Sequence, residues 1–412
     1  MMTREQIQEL AQFEDGEGCA LSFYFQPAPP QNKAHKEEAI LTKDLAREVL
    51  RQLEGKNKEK CESARADLDR IVHLSQDFRG NGARTKAVFA CSAQGFWCEF
   101  DLPARLSGTQ LLIDRHFHLK PLARLLGPFP SLGVVLLDRQ RARLFDFRMG
   151  ELNEREGFFH LLPRRGRSDG FAGYDGGHAE RRVADEARQH FKLVSEVLKS
   201  ALEKHAFEKW ILGCHEAIWP QVETQLHPDV SHKLLGRFSA EVAHASDEFI
   251  RSRAEHILTE WQDKTCREAV HETISQARSH GRGVTGLRRV LRSLELGEVQ
   301  SLLISDNYVA QAVECIGCGH LDAHLVNFCP VCGRQTRKVV DAVEAILPWV
   351  IRHDIELFYV KNNPELDAVG NIAALLRFRS DHGKIRPITE VASAGMRDRS
   401  RLVGRYRGVA AS

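Results

Sequence analysis

The chain has 412 residues, of which 42% are hydrophobic and 28% are charged. This length predicts about two to four domains with ordinary buried cores, and the composition excludes a wholly disordered chain. The 58 basic and 56 acidic residues leave a net charge of +2, which excludes a polycation along the whole chain but permits local basic patches. No apolar run approaches the roughly 18 residues that span a bilayer, and the first residues lack a signal-peptide pattern. We therefore expect a cytoplasmic protein with no membrane partner.

Residues 1–127 have a mixed α and β pattern. A strand is predicted over 19–26, because this stretch is apolar and aromatic and ends at a proline cluster that begins with Pro27. Two charged amphipathic helices follow, and then three short strands lie between residues 87 and 113. The Gly-Pro-Phe-Pro segment at 127–130 is typical of a boundary. The sequence thus predicts an α+β N-terminal domain over 1–127.

Residues 128–275 form the second predicted domain. An apolar run and an alternating segment within 132–148 predict paired strands, and one more strand is predicted at 210–212. Apolar residues three or four positions apart predict a helix over 179–204, and a long charged helix is predicted over 247–280. The alternation of strands and long helices indicates an α/β domain.

Residues 276–392 form the third predicted domain, in which helices alternate with strands. The predicted helices cover 287–296 and 339–352, and the predicted strands cover 300–304 and 356–360. Gly297 is placed to end the first of these helices. An arginine-rich basic tail follows over 393–412.

Four cysteines with paired spacing give the strongest local signal. Cys315 and Cys318 form one Cys-x2-Cys pair, and Cys329 and Cys332 form a second pair after ten intervening residues. Two such pairs can complete a tetrahedral S4 site, which favours Zn²⁺ and leaves no open position, so the predicted metal is structural. The alternative is a redox pair or chance spacing. The predicted zinc mini-domain covers 315–335, and His320 and His324 are interpreted as bystanders.

A glycine- and arginine-rich loop occupies residues 163–182. Its glycines let the backbone approach a crowded partner, and its arginines can grip backbone phosphates. The candidate RNA-binding residues are Arg164, Arg165, Arg167, Arg181 and Arg182. Composition alone leaves an ordinary surface loop as an equal alternative.

Other enzyme signatures have no support. The Gly281–Gly286 segment matches G-x-G-x-x-G, but a long polar helix rather than a strand is predicted before it, so we interpret it as a glycine-rich turn between helices. His215-Glu216 lacks the second histidine of a zinc protease, because position 219 is Trp. No Walker A motif and no G-x-S-x-G nucleophile elbow occur.

The loop also carries a resemblance to a known family. Residues 162–166 and Gly176-Gly177-His178, followed by a long basic helix, resemble the middle domain of the archaeo-eukaryotic class I peptide-chain release factors, where a basic loop carries Gly-Gly-Gln. Further segments resemble the family in the same order along the chain: 19–30, 82–126, 282–286, 294–305, 355–360 and 370–378. His227-Pro228 and the loop composition resemble most the bacterial branch of this superfamily, which also includes Pelota and the hibernation factor Balon.

The resemblance implies three tandem domains and a shape that imitates tRNA. The middle domain would be ribonuclease-H-like, and the third would be α/β like the small RNA-binding ribosomal proteins, with the zinc mini-domain inserted. It also implies that the protein is a monomer and that its partners are the ribosome (rRNA and P-site peptidyl-tRNA) and a translational GTPase. The family's codon-reading Asn-Ile-Lys-Ser is replaced here by Asn-Lys-Ala-His-Lys at 32–36, so the resemblance does not extend to stop-codon decoding.

The function predicted from the resemblance is A-site binding in ribosome rescue or hibernation. In the family, the glutamine of Gly-Gly-Gln positions water at the peptidyl-tRNA ester and its backbone N–H faces the developing oxyanion. His178 keeps that backbone donor but lacks a carboxamide, which offers a donor and an acceptor side by side. Catalysis by Gly176, Gly177 and His178 is therefore the second hypothesis, and an RNA-binding adaptor without an A-site role is the third.

Overall fold

The computed structural model of the protein describes residues 4–16, 18–26, 35–53, 58–77, 85–102, 108–123, 131–148, 151–155 and 176–379. Side chains are described in these ranges except at 4–5, 35–39, 58–61, 77 and 176–183. The chain divides into two compact units, Met1–Thr265 and Cys266–Ser412. The finer organisation into domains 1–127, 128–275 and 276–392 stays a prediction.

The first unit begins with a four-stranded antiparallel sheet in the order β3-β2-β1-β4. Its strands are β1 (Ala20–Phe25), β2 (Thr85–Cys91), β3 (Phe96–Leu102) and β4 (Gln110–Asp114). The helices of this region are α1 (Arg4–Gln12), α2 (His35–Leu53), α3 (Lys58–Asp77) and α4 (Lys120–Ala123). Val49 of α2 and Leu68 of α3 share a buried core with Phe23 and Val88 of the sheet. Both helices are therefore held on the sheet by one apolar stripe each, as their periodicity predicts.

A five-stranded mixed sheet follows in the order β7-β6-β5-β8-β9. Its strands are β5 (Leu132–Leu137), β6 (Ala142–Arg148), β7 (Glu151–Glu154), β8 (Lys209–Cys214) and β9 (Leu234–Phe238). Strands β5, β6 and β7 pair antiparallel, whereas β8 and β9 continue the sheet parallel to β5. The helices are α5 (Gly176–Glu203), α6 (Trp219–Glu223), α7 (Pro228–His232) and α8 (Asp247–Arg278).

Helices cover both faces of this sheet. Val135 of β5 lies in a core with Phe191 of α5, and its neighbour Val134 lies in a second core with Ile250 of α8. Successive strand residues point to opposite faces, so the two cores lie on opposite sides of the sheet. This accounts for the continuous apolar run of β5, because a strand buried on both faces does not alternate.

The second unit contains two sheets. Its strands are β10 (Gly283–Thr285), β11 (Val299–Ser305), β12 (Ala312–Cys315), β13 (Leu321–Asp322), β14 (Thr336–Val339), β15 (Glu356–Val360) and β16 (Ile372–Leu376). Its further helices are α9 (Leu287–Glu295), α10 (Ala342–Arg352) and α11 (Pro364–Ala368). The larger sheet has the order β10-β16-β11-β15, and the smaller one has the order β13-β12-β14. The α/β class predicted from the sequence is thus confirmed.

The Gly281–Gly286 segment differs from its interpretation as a turn between helices. It contains strand β10, which pairs with β16 through Gly283 and Leu375. A Cβ at Gly283 would lie 2.1 Å from the carbonyl oxygen of Thr273, so glycine is required here for close backbone approach. Helix α8 precedes the motif, as expected for a segment that is not a dinucleotide fingerprint. No helix in the described part of the chain is long and apolar enough to cross a membrane.

Candidate metal centre and glycine-rich loop

The four predicted cysteines lie together. Their Sγ atoms are all within 4.8 Å of one another, with 3.3 Å between Cys315 and Cys332 and 3.7 Å between Cys318 and Cys329. A tetrahedral zinc–thiolate site with bonds of about 2.3 Å places its sulfurs about 3.8 Å apart. The measured distances bracket this value, so the four thiols fit one tetrahedral metal ion.

The two cysteine pairs lie in turns with the same backbone pattern. The amide of Gly317 donates to Sγ of Cys315 at 3.3 Å, and the amide of Val331 donates to Sγ of Cys329 at 3.4 Å. In each turn, the glycine four residues after the first cysteine donates its amide to that cysteine's carbonyl oxygen, at 3.0 and 2.9 Å. Amide donors favour thiolate over thiol, and thiolate is the form that binds a metal.

Glycines make these turns possible. Gly319 and Gly333 have φ of +71° and +72°, a conformation that glycine adopts without steric cost. At Gly317 a Cβ would lie 2.2 Å from Cδ of Arg334, so a larger residue there would displace this exposed side chain. The repeated Cys-x2-Cys-Gly pattern carries this information in the sequence.

The two histidines between the pairs bind carboxylates instead of pointing at the sulfurs. His320 makes a hydrogen-bond contact through Nδ1 with the carboxylate of Glu295, the last residue of α9. His324 contacts Asp322 at 3.2 Å through its own Nδ1. Neither belongs to the group of side chains that could hold a metal. The contact with Glu295 connects the small sheet to α9, and no local sequence pattern indicates it.

The thiols differ in acidity. Although burial opposes ionisation of Cys315, hydrogen bonds from the amides of Cys318 and Gly317 lower the pKa of its thiol to about 6. Burial raises the pKa of Cys318 to about 12 and also raises the pKa of Cys329. Cys315 is therefore more acidic than Cys318 and Cys329. A metal ion that binds the thiolates would displace the remaining protons.

The predicted loop is described only at its end. Arg164, Arg165 and Arg167 lie outside the described residues. Helix α5 begins at Gly176, three residues earlier than its apolar periodicity predicts, so Gly176, Gly177 and His178 form its first turn. Arg181 and Arg182 follow in the same helix, and the side chains up to 183 lie outside the described residues.

The helix that begins with these residues is firmly anchored farther along. Phe191 and Leu198 of α5 are at most 1% exposed and pack against β5 and β8. The amide of His227 donates to Oγ of Ser195 at 2.8 Å, which adds a polar tie to the same helix. The first turn of α5 therefore belongs to a helix of 28 residues whose later turns pack on the five-stranded sheet.

One model of a known protein family matches part of the chain. Residues 118–273 match the model of bacterial archaeo-eukaryotic release factor family 10. This range holds the five-stranded sheet and the start of α5. The resemblance to the archaeo-eukaryotic release factor and Pelota superfamily is thereby confirmed. No curated protein matches the sequence significantly.

Solved structures of this superfamily are also similar to the chain. An archaeal translation termination factor, aRF1, is 16% identical, covers 92% of this chain and 99% of its own, and has a TM-score of 0.23. Dom34 of S. cerevisiae is 10% identical over 92% and 94% of the two chains with a TM-score of 0.38. Archaeoglobus fulgidus Pelota is 14% identical over 72% and 79% with a TM-score of 0.32. All three TM-scores are below 0.5, so the resemblance to the superfamily rests on the family match over residues 118–273.

Proposed function

We propose that this protein is a translation factor that binds the ribosomal A site in a tRNA-like manner and acts in ribosome rescue or hibernation. The family match over residues 118–273 carries the proposal, because this range includes the basic loop and the first turn of α5. The anchored helix supports it further, since a loop that enters an RNA-lined space needs a rigid base. Arg164, Arg165, Arg167, Arg181 and Arg182 would contact RNA phosphates.

The loop would reach toward P-site peptidyl-tRNA. In this proposal Gly176 and Gly177 let the backbone fit a narrow space, because neither carries a Cβ. Occupancy of the A site alone would then be sufficient for function. The resemblance also suggests a translational GTPase as a partner of the second unit; Dom34 of S. cerevisiae interacts with Hbs1.

We also propose that the four-cysteine cluster holds a structural Zn²⁺. Cys315, Cys318, Cys329 and Cys332 would bind it, and the paired spacing, the sulfur distances and the amide donors all suit this ion. Four thiolates fill a tetrahedral shell, so the ion would supply folding free energy and no catalytic water.

Peptidyl-tRNA hydrolysis is the second candidate, and the sequence at the start of α5 favours it. His178 keeps a backbone N–H for a developing oxyanion, and a neutral imidazole can accept a proton from water. An imidazole differs in shape from a carboxamide, so it does not reproduce the family's water position. We therefore expect inefficient hydrolysis.

Sedimentation with purified 70S ribosomes tests the main proposal. The full chain should pellet with ribosomes whose A site is empty and should be displaced by A-site tRNA. Replacing Arg164, Arg165 and Arg167 with Ala should weaken binding and flatten its salt dependence. Binding that is indifferent to A-site tRNA would favour the adaptor alternative, and no ribosome binding would refute both.

Release of labelled peptide from ribosomes that carry peptidyl-tRNA distinguishes a peptidyl-tRNA hydrolase from a factor that only binds the A site. We expect little release by the wild type and more by His178→Gln, which restores the family's residue. Efficient wild-type release that His178→Ala abolishes would instead establish a hydrolase.

A further inference from the structure

Helix α9 has one buried face and one strongly basic face. Val290, Leu291 and Leu294 are at most 4% exposed and pack the helix against the rest of the second unit. Ser293 is buried on the same face. At 3.6 residues per turn, positions 288, 289 and 292 lie on the opposite side of the helix and face outward. Arg288, Arg289 and Arg292 occupy them and are exposed. Packing on one face therefore places three arginine side chains on the other.

These three guanidinium groups have no counter-charge in the part of the chain that the structure describes. No described carboxylate forms an ion pair or hydrogen bond with Arg288, Arg289 or Arg292. The helix itself contains one acidic residue, Glu295, and His320 already binds it.

The internal electrostatics of α9 oppose this arrangement. Arg292 lies four residues after Arg288 and three after Arg289, so all three charges repel one another along the same surface. Arg288 and Arg289 also lie in the first turn, where the helix dipole disfavours positive charge and where α9 has no acidic residue. An anionic partner would relieve each of these interactions at once.

The geometry favours a phosphate backbone as this partner. Four residues of helix advance about 6 Å, so the guanidinium groups form a strip that suits a row of anions better than a single ion. Each group is planar with a fork of donors that matches phosphate oxygens. A protein interface would be expected to have an apolar centre, whereas the outward positions of α9 carry only charged side chains.

We propose that the exposed face of α9 binds the phosphate backbone of RNA through Arg288, Arg289 and Arg292. The ligand class is double-stranded or structured RNA, read without sequence preference because the contacts reach only phosphates. These arginines are other residues than those of the predicted loop at 163–182. The proposal rests on the proposed function only in that rRNA would be the RNA concerned.

Fluorescence anisotropy of the full chain with a labelled RNA hairpin tests the proposal over about 50 to 300 mM salt. The test variant replaces Arg288, Arg289 and Arg292 with Ala. The matched control replaces Arg47, Arg65 and Arg267, which are exposed on other helices, and so removes the same charge. A third variant replaces the α9 arginines with Lys, which retains charge and surface solubility.

The α9 alanine variant should bind RNA about tenfold more weakly, and its salt slope should fall by about 2 to 3, one for each lost phosphate contact. The control should match the wild type, and the lysine variant should keep the slope. Equal RNA binding by the α9 and control variants would refute the proposal, as would preferential binding of a polyglutamate competitor to the α9 face. Ribosome sedimentation of the same proteins keeps the two hypotheses apart: hairpin binding through α9 without ribosome binding would refute the proposed function alone.

Discussion

Replacing Cys318 with Ser should unfold the zinc mini-domain and leave the other sheets intact. The reason lies in how little else stabilises residues 315–335. Within this fully described segment only Cys315 and Cys329 are buried, whereas Ile316, Phe328 and Val331 are more than half exposed. A segment without an apolar core needs a metal or a disulfide to fold.

The expected loss is large relative to the stability of so small a segment. Structural zinc contributes about 10–16 kcal/mol of apparent binding free energy at neutral pH, and this is folding free energy when the free ligands are unfolded. Serine at position 318 removes one of four thiolates and leaves the 3.7 Å contact with Cys329 unmade. We therefore expect zinc content to fall from about one per chain and amide exchange across 315–335 to approach that of an unfolded segment.

Metal analysis and hydrogen exchange of the full chain measure these two effects. Cys98→Ser is the matched control, because Cys98 is a half-buried free cysteine far along the chain from the cluster. Cobalt substitution adds a spectroscopic test for tetrahedral thiolate coordination. A wild-type protein that holds no metal with its cysteines reduced would refute the reasoning, and so would unchanged exchange after chelation.

Two further predictions concern the backbone and an ion pair. Gly333→Ala should weaken zinc binding about fivefold, because a φ of +72° costs alanine about 1 kcal/mol; the added methyl itself would meet no atom within 4 Å. Gly333→Asn should weaken binding less, because asparagine tolerates this conformation better. Competition with a chelator measures the zinc affinity of both variants. Glu154 receives two hydrogen bonds from Arg143 at 2.8 and 2.7 Å; although burial opposes it, this pairing lowers the pKa of Glu154 from 4.5. The stabilisation by this pair is present above the unfolded pKa and is lost as the pH falls through the lowered folded pKa. Glu154→Gln should therefore lower the urea midpoint near pH 7 by an amount worth about 1 kcal/mol or less, and its difference from the wild type should shrink as the pH falls below the unfolded pKa.

Local pattern was sufficient for much of this fold. The apolar run of β5, the stripe of α5 and the paired cysteines each carry their own signal, and each lies where the sequence predicts. Gly297, with φ of +70°, directly follows the last turn of α9, as its position after the apolar repeat indicates.

The elements missed by sequence reasoning depend on distant partners. Strand β7 reads Glu-Leu-Asn-Glu, which has no strand pattern, and it is held at the edge of its sheet by pairing with β6 and by the Arg143–Glu154 ion pair. Strand β10 is three residues long and pairs with β16 about ninety positions later. The contact of His320 with Glu295 is likewise non-local. No window of adjacent residues contains these interactions, so periodicity alone does not predict them.

The contact between His320 and Glu295 leads to a last prediction, which rests on the proposed RNA surface of α9. The turn that contains Cys318 positions His320, whose carbonyl oxygen accepts the amide of Cys315 at 2.9 Å. If zinc loss unfolds this turn, Glu295 is released and lies three residues after Arg292, within reach of an intrahelical ion pair.

One of the three positive charges on α9 would then be neutralised within the protein. We expect Cys318→Ser to weaken binding of the RNA hairpin and to reduce its salt slope by about 1, because one phosphate contact is lost. Adding Glu295→Gln to Cys318→Ser should restore both values, since glutamine has no charge to offer Arg292. Glu295→Gln alone removes the partner of His320 but leaves the zinc ligands in place, so it controls for the loss of that contact. Weaker binding by Cys318→Ser that Glu295→Gln does not restore would show that the mini-domain acts on RNA by another route, and unchanged binding would separate the metal site from the basic face altogether.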